Sequence, residues 1–174
     1  MKNEKTGLKL RLIVMNFLQF AVWGAYLTSM GTYLFNIGLG AKIGLFYAMQ
    51  GIVSLFMPAI MGIIADRWVP AQKLYGFCHF MAAVFMVAAG WYGYVDGEAV
   101  NFGTLFTFYS LSVAFYMPTL ALTNSVAYTA LDKVKLDPVI AFPPIRIFGT
   151  IGFICSMLLT DILGFQNNYM QFFS

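Results

Sequence analysis

Five stretches of mostly apolar residues, at about 12–35, 43–65, 74–94, 102–128 and 142–163, are each long enough to cross a bilayer, and they leave little chain for anything else. A helix needs about 20 predominantly apolar residues to traverse the roughly 30 Å hydrocarbon core, where every backbone N–H and C=O must find its partner inside the protein. The reading is an all-α integral membrane chain of five spans, with the start of a sixth near Tyr169. Composition agrees: 60% of the 174 residues are hydrophobic and 10% charged, too little polar surface to cover a domain in water. The basic residues ahead of the first stretch resemble the start of a signal peptide, but that stretch is long and has no clear small-residue cleavage site, so it reads as a retained span.

The charges alternate from one connection to the next. Lys2, Lys5, Lys9 and Arg11 precede the first span, Arg67 and Lys73 follow the second, and Lys133 and Lys135 follow the fourth. The opposite connections hold Lys42 as their only cation, with Asp96, Glu98 and Asp161. The positive-inside rule therefore puts the N-terminus in the cytoplasm. The net charge of +3 comes from scattered cations rather than a dense basic run, which excludes a nucleic-acid partner. Cys78 and Cys155 lie inside apolar segments without a Cys/His cluster, so they read as packing residues, and neither a disulfide scaffold nor a metal site is expected. No nucleophile and base, phosphate loop or other cofactor motif occurs at recognisable spacing, so the chain does not read as an enzyme.

Function has to be sought in the polar residues within the spans. Asn16, Gln19, Trp23, Tyr26, Met30 and Tyr33 recur in steps of three and four, which puts them on one face of the first span. Tyr109, Ser112, Tyr116, Thr119 and Thr123 do the same in the fourth, and Tyr47, Gln50 and Ser54 make a shorter stripe in the second. In the fifth, Arg146, Thr150, Phe153 and Met157 fall within an arc of roughly 60° on ideal helix geometry. Two readings stand for such stripes: they join helices to one another, or they converge on a cavity. Aromatic rings beside amides and hydroxyls suit a flat, neutral, polar ligand such as a nucleobase or a sugar. On the cavity reading Gln19, Trp23, Gln50, Tyr116 and Thr119 line it.

Arg146 is the most telling residue, because a guanidinium at mid-membrane costs about 2.5–3.5 kcal/mol on insertion scales and turns to protein or water. It either snorkels to the headgroups from its place just after Pro143 and Pro144, or donates from its planar fork into a cavity shared with Thr150 and Phe153. His79 reads as a packed or interfacial residue, since no carboxylate stands near it in sequence. Every Asp falls towards the end of a span or in a connection, leaving no obvious carboxylate to carry a proton. At the inner end of the second span, Gly62 offers a close helix approach beside the boundary charges Asp66 and Arg67.

Gly62-x-x-x-Asp66-Arg67 resembles the loop signature of the major facilitator superfamily, with Val69 and Pro70 where the general signature has a second glycine and a basic residue. Longer strings are similar to the nucleoside:proton symporter branch: Phe17-Leu-Gln-Phe-x-x-Trp-Gly24, Phe56-Met-Pro-Ala-x-x-Gly-Ile-x-Ala-Asp66, Tyr116-Met-Pro-Thr-Leu120 and Phe142-Pro-Pro-Ile-Arg-Ile-x-Gly-Thr-Ile-Gly-Phe153. The resemblance implies that residues 1–174 are the N-terminal bundle of a twelve-span protein, a fragment lacking its C-terminal bundle. It implies proton-coupled nucleoside uptake across a bacterial inner membrane by alternating access. It also implies that Arg146 and Thr150 hydrogen-bond the nucleoside, that Phe153 packs on it, and that the proton-coupling acids lie in the second half. The partners implied are a nucleoside, protons, the bilayer and the missing bundle. A facilitator of sugars or other small polar solutes, and a non-transporting membrane scaffold or receptor, are the alternatives.

Overall fold

Lipid leaves a backbone only protein to bond to, and this chain answers with helices. The computed structural model describes residues 2–173 except for the side chains of Lys2, Asn3, Glu4 and Glu98, so the shares of Lys2 and Glu98 in the charge pattern lie outside the described residues. In order come α1 (Lys2–Leu27), α2 (Met30–Asn36), α3 (Ile43–Arg67), α4 (Ala71–Asp96), α5 (Phe102–Lys133) and α6 (Pro138–Ile162), with short 3-10 turns and no strand among the described residues. Five segments, Lys5–Asn36, Gly40–Arg67, Ala71–Asp96, Phe102–Lys133 and Pro138–Ile162, are long and apolar enough to cross a membrane. They coincide with the expected spans and run a few residues longer at several ends.

Local chemistry sets the boundaries. Asn101 caps α5 by accepting from the Gly103 N–H at 2.8 Å, and Asp137 caps α6 from the Val139 N–H at 2.9 Å, with Pro138 in the first helical position where its missing N–H costs nothing. Gly97, at φ +54°, ends α4 in a backbone conformation that a side chain would oppose. The first span is two helices rather than the single rod expected. The Ser29 hydroxyl lies 2.6 Å from the Ala25 carbonyl and competes for it, while Tyr47 of α3 donates to the Leu27 carbonyl at 2.8 Å, so a carbonyl at the break is not left bare.

The start of a sixth span is also modified: Phe165–Asn167 and Tyr169–Phe172 are 3-10 turns. The first packs on α2 and α6, and the second on α4, where Gly90 and Gly93 give the room. A Cβ at Gly90 would lie 2.8 Å from the Phe173 ring, and one at Gly93 would lie 3.0 Å from Tyr169. Gln171 is buried there, with its Oε1 2.7 Å from the Ser29 hydroxyl.

Two contacts organise the bundle. Helices α1 and α6 touch backbone to backbone, because Gly152 faces the Phe17 carbonyl and Gly24 faces the Phe153 carbonyl, each close enough to exclude a Cβ. Helix α5 packs on α3 and α4 and also touches α1 and α6. At its junction with α1 and α4, Gln19 Nε2 donates to Thr119 Oγ1 at 2.8 Å, and Gln19 Oε1 accepts from the Tyr75 hydroxyl at 2.8 Å and faces His79 Nε2 at 2.7 Å. The Tyr116 hydroxyl donates to the Gln19 backbone carbonyl. An amide oxygen only accepts, so the His79 nitrogen facing it carries a hydrogen.

Replacing Gly152 by Ala is expected to force α1 and α6 apart at a cost of about 1–3 kcal/mol. Gly51→Ala, where a Cβ meets nothing within 4 Å, serves as the tolerated control, with denaturation in detergent as the measurement. Gln19→Leu strips Tyr75, His79 and Thr119 of a common partner and should cost about 1–3 kcal/mol in the same assay.

Candidate functional site

Helix α6 starts at Pro138, so Arg146 stands eight residues in, about 12 Å along the axis at 1.5 Å per residue. Its side chain does not run back towards the helix start. The guanidinium lies across the face of Phe20 on α1, 3.8 Å from the ring centroid, and among the described residues it has no hydrogen-bond or ion-pair partner. The guanidinium thus keeps its planar rim of N–H donors beside the neighbouring helix rather than at the start of its own. Thr150, one turn on, is exposed, and Phe153 is partly buried with its ring set edge-on to Trp23, 5.9 Å between centroids at 76°. Trp23 in turn meets Phe20 at 6.2 Å. The expected trio does share one face of α6, flanked by two rings of α1.

That arrangement can offer a cation with free in-plane donors, an accessible hydroxyl and an aromatic edge. It contains no acid, base or nucleophile. Among the described residues no group of three or more His, Cys, Asp or Glu gathers as a metal site would require.

The other expected lining residues sit elsewhere. Gln19, Tyr116 and Thr119 are 1%, 2% and 0% exposed and bond one another at the junction of α1, α4 and α5. Gln50 is buried and accepts from the Tyr109 hydroxyl at 3.2 Å, while Ser54 donates to the Gly51 carbonyl of its own helix. Of the five expected lining residues Trp23 alone borders the Arg146 face, with its indole N–H buried and without a partner among the described residues. The stripes thus divide between a sealed helix junction and one open face.

At the end of α3, Asp66 and Arg67 are exposed, and a Cβ on Gly62 would meet nothing within 4 Å, so the close helix approach expected there is absent. Helix α4 begins after Pro70 with no side-chain cap among the described residues. Cys78 is buried as expected, but Cys155 is exposed on α6 and is not a core packing residue. Phe20 and Tyr75 escaped the sequence reading. Tyr75 and His79, four residues apart, share a face of α4, and that spacing was the available signal. Phe20 looks like any apolar residue until α6 is laid beside it.

Comparison with known proteins gives these residues a context. The family model described as nucleoside H+ symporter matches residues 6–173. Xanthosine permease of Escherichia coli K12 is 40% identical over 169 residues, covering 96% of this chain and 39% of that protein. Nucleoside permease NupG of the same organism is 40% identical over 170 residues, with the same coverage of 96% and 39%. The crystal structure of nucleoside transporter NupG superimposes with a TM-score of 0.86 at 40% identity, covering 95% of this chain and 40% of that one. The chain thus spans about two fifths of the length of these relatives, and its fold is the all-helical, major-facilitator-type membrane bundle of that transporter. With the match running over nearly every residue, the chain belongs to the nucleoside H+ symporter family.

Proposed function

We propose that this chain is the N-terminal bundle of a proton-coupled nucleoside importer of the bacterial inner membrane, working by alternating access with a second bundle. In this reading Arg146 and Thr150 donate to carbonyl or hydroxyl oxygens of the nucleoside, and Phe153 packs against its flat face. One observation carries it: a guanidinium two turns inside a membrane span, stacked 3.8 Å from a ring centroid, with its N–H rim free of any protein partner among the described residues. A cation so placed is costly unless it meets polar groups, and a neutral ligand rich in acceptors supplies them. Family membership and the printed names of the permeases support the nucleoside as that ligand and the proton as its co-substrate. The acids that carry the proton belong, in this reading, to the second bundle. The N-terminus is cytoplasmic, as the cations in alternate connections favour. Gly62, Asp66 and Arg67, at the end of α3, border the connection that in this reading changes shape as the bundles rock.

In the full-length protein expressed in cells that lack their own nucleoside permeases, Arg146→Ala is expected to raise the KM for labelled uridine about 10- to 100-fold, the value of one hydrogen bond to a charged donor. Thr150→Val should raise it by about three- to tenfold. Membrane levels are checked by immunoblot. Unchanged uptake by the Arg146→Ala protein, or preferential uptake of labelled hexose by the unmodified protein, would overturn the assignment. Orientation is tested by reporter fusions: green fluorescent protein fused after Lys73 should fluoresce, and alkaline phosphatase fused after Asp96 should be active.

A further inference from the structure

We propose that Phe20 and Gly149 are positioning residues for Arg146, holding the guanidinium plane at one fixed orientation so that it reads an acceptor lying in that plane. The inference rests on the assignment of Arg146 to the nucleoside and goes beyond it, since neither residue touches the ligand in this role.

The geometry is specific. Phe20 is buried, 8% exposed, and its ring face carries the guanidinium 3.8 Å from its centroid. A flat cation laid on a ring is held over one face, while its five N–H groups all project sideways in the plane and stay available. Gly149 closes the arrangement from α6. A Cβ there would stand 2.7 Å from Phe20 Cδ2 and 2.8 Å from Arg146 Nη1, so a side chain would wedge against both stacked partners.

The ring is itself fixed. Phe20 meets Trp23 at 6.2 Å, and Trp23 meets Phe153 at 5.9 Å. The contacts leave α6 at Arg146, pass along two rings of α1, and return to α6 at Phe153. Two ligand-facing residues seven positions apart are thereby tied to each other through the neighbouring helix. A flexible cation would bond an acceptor in many directions, whereas a stacked one selects acceptors at a set height and angle, which is what discrimination among nucleosides requires.

The test is a double-mutant cycle in the full-length protein, read as uridine uptake kinetics. Phe20→Leu keeps an apolar side chain but removes the ring face, and is expected to raise KM about three- to tenfold with Vmax within about twofold. Phe20→Tyr, which keeps the face, should restore KM. In an Arg146→Ala background, Phe20→Leu should cost much less Vmax/KM than in the unmodified protein, because the guanidinium is gone and only the contact with Trp23 remains to be disturbed.

An equal loss in both backgrounds, or a silent Phe20→Leu, would overturn the proposal. If Arg146→Ala is itself silent, the assignment of the site fails. If Arg146→Ala is damaging and Phe20→Leu silent, only the positioning role fails. Should Phe20→Leu not reach the membrane, Gly149→Ala gives the same cycle from the other side. Failure of both to insert while Arg146→Ala inserts would assign the pair to folding and count against the proposal.

Discussion

The contact between α1 and α6 is the constraint on which the rest of the molecule depends. Lipid tails are as apolar as leucine, so helices in a bilayer gain little from hiding apolar surface and must find cohesion in close fit and polar bonds. Gly24 and Gly152 supply the fit by letting each helix meet the other's main chain, at Phe153 and Phe17. Phe17 and Phe20 on one side and Arg146 and Phe153 on the other are brought into register by that approach. The face that Arg146 and Phe153 share with the rings of α1 is thus a by-product of where side chains are missing.

Polar bonds supply the second kind of cohesion. Three helices converge on Gln19, whose amide gives its hydrogen to Thr119 and its oxygen to Tyr75 and His79. Thr119 and Thr123 turn their own hydroxyls back to α5 carbonyls at 2.6 and 2.7 Å, which leaves the amide as the cross-link between elements. Burial of a full hydrogen-bonding set in this way gives a junction one preferred register, because a shift by one residue strands several groups together.

Much of the architecture was legible in the residues, since a bilayer demands apolar runs of one length and the cations mark where they stop. The face shared by Arg146, Thr150 and Phe153 was legible too, because helical periodicity assigns azimuth. What periodicity withholds is the neighbour. The polar face holding Gln19 and that holding Tyr116 and Thr119 were each visible, yet whether they open on solvent or close on one another depends on the distance between two helices far apart in sequence. Arg146 posed the same problem: its direction is set by Phe20, a residue with no polar signature. The break after Leu27 was hidden because Thr28 and Ser29 are ordinary within spans, and its cause lies partly in Tyr47, on another helix.

That break has a mechanical meaning. In an unbroken helix a bend has to stretch several main-chain bonds at once. Here the ladder is already interrupted, and the Leu27 carbonyl is held by a phenol from α3 at 2.8 Å. Swinging α2 relative to α1 would still have to part that phenolic tether, the polar contact between Ser29 and Gln171, and the buried seats of Met30, Tyr33 and Leu34. The seven residues of α2 are thus seated by the core they enter, whereas the long shaft before them is fastened by its glycines.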